Sequence, residues 1–131
     1  MRTSPTARPT RRDADNELYD QGCDLVEAAA AIRRAAGEPE AARAVPAVLG
    51  CIESALHKLV WASLALERTS VDLVTQTPGL RANPVTERMQ RGFANLQRAL
   101  SDGESASAAA RSLTSRAFTA SSAARPDRRG Y

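Results

Sequence analysis

The sequence predicts an all-α protein, an antiparallel bundle of three long helices between disordered basic tails. Two observations lead to this class. Three segments carry apolar residues at alternating three- and four-residue steps, which is the spacing of a helix with one packed face. No segment shows the two-residue alternation of a strand, and the chain has only five aromatic residues among its 131. The length fits one domain whose core is thin, because Ala buries little apolar area.

The first helix follows a basic arm. Residues 1–12 are rich in Pro, Thr and Arg without apolar periodicity, which predicts disorder. Helix 1 is predicted over about residues 13–36, and Gly37 is a suitable residue to end it. Acidic residues in its first turns, with Arg33 and Arg34 in its last turns, suit the helix dipole. Its packed seam is predicted at Leu18, Gly22, Leu25, Ala29, Ile32 and Ala36.

The second helix is predicted over about residues 39–74 and contains Pro46 in its first part. Proline either kinks a helix or occupies its first turn. Pro46 therefore marks either a kink or the true start of the long helix after a short helical connector. The apolar stripe predicted to face the core comprises Val45, Val48, Leu49, Ile52, Leu56, Leu59, Ser63 and Leu66.

The third helix is predicted over about residues 84–117, after a Pro78-Gly79 turn. Asn83 is placed to cap it, and Pro84 suits its first position. A bend at Gly103 would make the second half of this helix a separate element, and the bundle would then have four helices. Residues 118–131 are predicted to be a disordered tail.

The charged residues are unevenly distributed along the chain. Residues 13–40 carry eight acidic residues against two arginines, whereas residues 81–131 carry nine arginines against four acidic residues. This pattern fits complementarity between antiparallel helices, and it also fits nucleic-acid binding. The candidate phosphate contacts are Arg8, Arg11, Arg12, Arg88, Arg91 and Arg98. No helix-turn-helix signature and no aromatic interleaving accompany them.

The stretch ESALHKLVWASLALE, residues 53–67, holds the only Trp, His and Lys of the chain. On a helical wheel Trp61 falls opposite the predicted core stripe. The residues predicted to form this second apolar face are Gly50, Ser54, His57, Trp61 and Leu64. Two interpretations are open: the second half of helix 3 returns to cover Trp61, or Trp61 contacts another chain, as tryptophan often does at interfaces.

The run HKLVWAS, which begins at His57, resembles histidine phosphotransfer domains, which are four-helix bundles with a phosphorylated histidine on a long helix. Leu59 matches the family pattern, but Val60 and Trp61 occupy the family's Lys and Gly positions. The resemblance covers about seven residues, and it implies phosphotransfer through His57 as a minor alternative function.

Catalysis is not expected, because no nucleophile, base and orienting group share a face. Cys23 and Cys51 lack metal-ligand spacing and are interpreted as small core residues with free thiols. No metal or cofactor is therefore predicted. A membrane-spanning helix would have to bury Glu53 and Lys58, so we expect no membrane partner and a cytoplasmic location. The abundance of Arg and Ala indicates a GC-rich bacterial genome.

The sequence therefore predicts a non-catalytic helical protein that acts by association with itself or with another protein. The second apolar face of helix 2 is the predicted contact surface. Nucleic-acid binding through the basic tails and the Arg face of helix 3 is the alternative. Neither the partner nor the pathway follows from the sequence.

Overall fold

The computed structural model describes residues 11–80 and 83–124, and it is all-α over these residues. Three long helices, α1 (Arg11–Ala36), α2 (Val45–Gln76) and α3 (Pro84–Ala124), are joined by a 3-10 helix, Pro39–Ala44, and a turn. The predicted fold class and the three-helix alternative are confirmed. The chain comprises two compact units, Met1–Ala42 and Arg43–Tyr131.

Helix α1 ends at Ala36 as predicted, but not through a left-handed glycine. The backbone N–H of Gly37 donates to the carbonyl of Arg34 at 3.2 Å, a tightened last turn, and Gly79 is the one described glycine with positive φ. The predicted seam of α1 is not covered, because Leu18, Leu25 and Ile32 are all exposed. A helical period identifies an apolar face but not what packs on it.

Helix α2 begins at Val45 with Pro46 in its first turn, and it runs to Gln76. The 3-10 helix before it is the short connector of the second interpretation, so Pro46 marks the start of the long helix. Proline fits there because the first-turn N–H groups have no partner within the helix.

The turn after α2 follows the local chemistry of its residues. Gly79 adopts φ 87°, a conformation that costs glycine little. The side-chain oxygen of Asn83 accepts a hydrogen bond from the N–H of Val85 at 2.9 Å, so the predicted cap of α3 is confirmed. The hydroxyl of Thr86 donates to the carbonyl of Leu80 at 2.8 Å and links the turn to the first turn of α3.

Helix α3 is one helix through Gly103 and up to Ala124. The second half of α3 is therefore not a separate fourth helix, and residues 118–124 are helical where the sequence predicted a disordered tail. Residues 118–124 contain no Gly or Pro and three Ala, the residue with the highest helix propensity, so nothing ends the helix at Ala117. Residues 1–10 and 125–131, which hold the rest of the predicted tails, lie outside the described residues.

Helices α2 and α3 pack side by side as an antiparallel hairpin. The pairing of Glu53 with Arg111, and of Glu67 with Gln97, fixes their register. Gly103 permits close approach, because a Cβ there would lie 3.3 Å from Cδ1 of Leu56. Gly103 thus brings the two helices together where the sequence suggested a bend.

The residues at the centre of the hairpin contact recur every seven positions, as in a coiled coil. We call these residues the seam. On α2 and at its C-cap they are Leu49, Leu56, Ser63, Ser70 and Thr77, and on α3 they are Thr86, Phe93, Leu100, Ser107 and Thr114; all are half-buried except Ser63, which is buried. The register places large side chains opposite small ones, such as Leu56 opposite Ser107 and Ser63 opposite Leu100.

The hairpin buries very little. Among the residues whose burial is described, Ser63 is 2% exposed and no hydrophobic side chain is buried. A domain is normally stabilised by apolar area removed from water, and here most of that area stays in contact with solvent.

Candidate association surfaces

The first candidate surface surrounds Trp61, which the seam leaves on the outer side of α2. Trp61 is 64% exposed and Leu64 is 39% exposed. Together with half-buried Val71 they form an apolar strip, which we call the Trp61 patch, in a shallow groove rimmed by Arg68 and Asp72. The first interpretation of Trp61 is therefore wrong, because α3 does not turn back to cover it.

The structure divides the five residues predicted for this face. Ser54, His57, Trp61 and Leu64 are exposed, and Gly50 is half-buried. Gly50 and His57 lie beside α3: a Cβ on Gly50 would be 3.4 Å from Cδ of Arg111, and Nδ1 of His57 lies 3.2 Å from Oε1 of Glu104. The sequence alone missed these neighbours, because a wheel drawn for α2 contains no information about α3.

Polar contacts link α2 and α3 along one side of the seam, which we call the bridged side. Nη2 of Arg111 donates to both carboxylate oxygens of Glu53, each at 3.1 Å. The side-chain amide of Gln97 donates to Glu67 at 2.9 Å. Both pairs join residues that lie four positions after a seam residue on each helix, so this side of the hairpin is held together by charge and hydrogen bonding.

The opposite side of the seam carries no charged side chain in the described part of the hairpin. It is formed by the residues that lie one and four positions before each seam residue, and we call it the uncharged face. On α2 these residues are Val45, Val48, Ile52, Ala55, Leu59, Ala62, Leu66, Thr69, Leu73 and Gln76. On α3 they are Val85, Met89, Gly92, Leu96, Ala99, Gly103, Ala106, Ala110 and Leu113.

Many large side chains of the uncharged face are open to solvent. The exposed ones are Leu66, Leu73, Val85, Leu96 and Leu113. Leu66 belongs to the stripe that the sequence assigned to the core, and its 40% exposure corrects that assignment. The sequence does indicate this face, because the positions one and four residues before each seam residue are uncharged on both helices. This pattern can be recognised only when the seam residues of the two helices are known.

The predicted phosphate contacts are only partly described. Arg88, Arg91 and Arg98 are exposed on α3, away from the seam, and none has an ion-pair partner among the described residues. Arg8 lies outside the described residues, and of Arg11 and Arg12 only the backbone is described. Phosphate binding by these six residues stays a prediction.

The described residues contain little that points to a reaction. No group of three or more His, Cys, Asp or Glu side chains that could hold a metal ion occurs in this part of the chain. Cys23 and Cys51 are free and exposed, which corrects their interpretation as core residues. The His57–Glu104 pair is a contact between helices, with His57 exposed.

The segment Pro39–Gln76 is long and apolar enough to cross a membrane, judged by length and composition alone. It contains the Glu53 carboxylate, which pairs with Arg111 of α3. Buried core helices can pass the same test of length and composition, but only 6% of the apolar window of this segment is buried.

Comparison of the chain with protein-family models, with curated proteins and with solved structures finds no match. The surfaces described above are therefore the basis for assigning a function.

Proposed function

We propose that this protein is a non-catalytic association module, in which exposed apolar side chains of α2 contact another protein chain. The observation that carries this proposal is the absence of any buried hydrophobic side chain among the residues whose burial is described. Two helices in contact form a single layer, and stable domains pack at least two layers around a core. A second layer from another chain would supply the apolar contacts that the hairpin lacks.

The location of the exposed residues supports the same proposal. Scattered apolar residues on a surface need no explanation, but contiguous ones mark interaction sites. Trp61 and Leu64 are adjacent on one surface, and they carry the features of an interface anchor: a large aromatic ring, a neighbouring aliphatic side chain and a charged rim at Arg68 and Asp72.

The test is purification of the tagged full chain from its native host, with and without nuclease, followed by measurement of molar mass. We expect a mass above that of the 14.0 kDa monomer, or a protein partner in stoichiometric amount that resists nuclease. A bare monomer that unfolds cooperatively at a concentration-independent midpoint would overturn the proposal. Nucleic acid that disappears with nuclease would instead support the alternative of phosphate binding by arginine.

The Trp61→Glu variant tests the contribution of the Trp61 patch in the same purification. Trp61 contributes little to the hairpin itself, since most of its side chain is in water. We therefore expect unchanged helicity by circular dichroism and loss of the partner that uses this patch. Loss of helicity would mean that Trp61 stabilises the fold, and retention of every partner would exclude the patch as a contact.

A further inference from the structure

The uncharged face is large enough for a stable interface. Helix α2 has 32 residues, and a rise of 1.5 Å per residue makes it about 48 Å long. Two helices whose axes lie 8–10 Å apart present a surface about 18–20 Å wide. The face therefore offers roughly 900 Å², which is comparable with the roughly 800 Å² that each partner buries in a typical stable complex.

The absence of charge limits what this face can bind. Electrostatic recognition of a charged partner would require Asp, Glu, Lys or Arg on this face. None of its described residues is one of these. The same absence suits a copy of the face itself, because a two-fold axis brings identical groups together and like charges near it would repel.

The face also combines large and small residues in a self-complementary way. Its α2 half contributes large side chains such as Leu59 and Leu66, whereas the middle of its α3 half is small, with Ala99 and Ala106. A two-fold axis parallel to the helices places α2 of one copy on α3 of the other. The hairpin register then brings Leu59 within one turn of Gly103 and Ala106, and Leu66 within one turn of both Leu96 and Ala99, so each of these large residues has a small residue of the second copy beside it.

We propose that a second copy of this chain packs on the uncharged face, so that two α2–α3 hairpins form a four-helix bundle. This inference rests on the proposed association function and names its partner. The Trp61 patch lies on the other side of the seam and stays open in such a dimer.

The experiment is sedimentation of the full chain over a range of concentrations, with two variants that differ only in the side of the seam they change. Leu66→Glu alters the uncharged face and Leu64→Glu alters the Trp61 patch; the two leucines are 40% and 39% exposed on the same helix. We expect a dimer for the unmodified chain. Leu66→Glu should raise its Kd by at least about tenfold, because each copy brings an unpaired carboxylate into the interface.

Leu64→Glu should change the same Kd by less than about threefold, since a surface substitution outside the interface has little effect. Leu96→Glu, on α3 of the same face, should repeat the effect of Leu66→Glu, so the result does not depend on one variant folding. Circular dichroism confirms that each variant remains helical.

Other results would overturn the proposal in distinguishable ways. A dimer lost in Leu64→Glu but kept in Leu66→Glu would place self-association on the Trp61 patch. A monomer that still captures a protein partner would exclude the second copy and leave the association function standing. A monomer that binds lipid vesicles would assign the face to a membrane, and a stable monomer without any partner would overturn both proposals.

Discussion

The two sides of the α2–α3 hairpin differ in the residues that lie beside the seam and in whether these residues have partners within the chain. On the bridged side, Glu53 finds Arg111 and Glu67 finds Gln97, so the polar groups that border the seam are paired within the chain. On the uncharged face, Leu66 and Leu96 border the same seam and remain in water. On one side the groups beside the seam are paired within the chain, and on the other the apolar side chains beside the seam are exposed to solvent.

The difference shows why charge placement is more informative here than hydrophobicity. The bridged side also contains apolar residues, Val60 and Val74 among them, but these alternate with charged ones. A helix that is apolar on more than one face has neighbours on more than one face. A layer packed on the bridged side would bury charged groups, which costs free energy unless each finds a partner. A layer packed on the uncharged face would bury no charged group.

The seam separates the two sides, and widening it should have the largest effect on stability. Ser63→Leu introduces a large side chain where 2% of the serine is exposed and where the register places Leu100 opposite. We expect a loss of about 1–3 kcal/mol in the free energy of unfolding, because overpacking forces the helices apart. Urea denaturation followed by circular dichroism measures it.

The matched control for this prediction is the double variant Ser63→Leu with Leu100→Ala. It exchanges the large and small positions across the seam, so it should recover part of the stability that Ser63→Leu loses. No recovery would mean that these two residues are not opposite each other and that the assigned register is wrong.

Removing the hydroxyl of Ser63 should have the opposite sign and a smaller size. The Oγ atom of Ser63 is buried without a hydrogen-bond partner among the described residues. An unpaired buried hydroxyl costs about 1–3 kcal/mol, and Ala is also the better helix former. Ser63→Ala should therefore raise the free energy of unfolding by about 1 kcal/mol. An unchanged or lower value would indicate that the hydroxyl has a partner, such as an ordered water.

Much of the fold was predictable because its signals are local. Pro46 at the start of α2 and the Asn83-Pro84 pair at the start of α3 act through their own backbone geometry and neighbouring N–H groups. The sequence predicted one helix through Gly103 but left open a bend there, because the signal that decides between the two is not local. A glycine that weakens a helix locally is retained here because its missing Cβ lets Leu56 approach.

The candidate surfaces were less predictable because they depend on which side of α2 contacts α3. A wheel based on apolar residues centred the core stripe on Ile52 and placed Leu66 inside it. In the structure the contact is shifted towards Glu53 and His57, which pair with Arg111 and Glu104. Long-range polar pairs of this kind leave no periodic signal in one helix, so the uncharged face became apparent only from the register of two.

The smallest expected effect belongs to the ion pair that marks the bridged side. Arg111 and Glu53 expose 45% and 23% of their side chains, so solvent and salt screen their attraction. A double-mutant cycle with Glu53→Gln and Arg111→Gln should give a coupling free energy of about 0.2–1 kcal/mol at low salt and less at high salt. Because the pair lies away from the uncharged face, the same variants should leave the Kd of the proposed dimer unchanged. A coupling free energy that does not decrease with salt would indicate a pair shielded from water by a second chain, and the bridged side would then also be part of an interface.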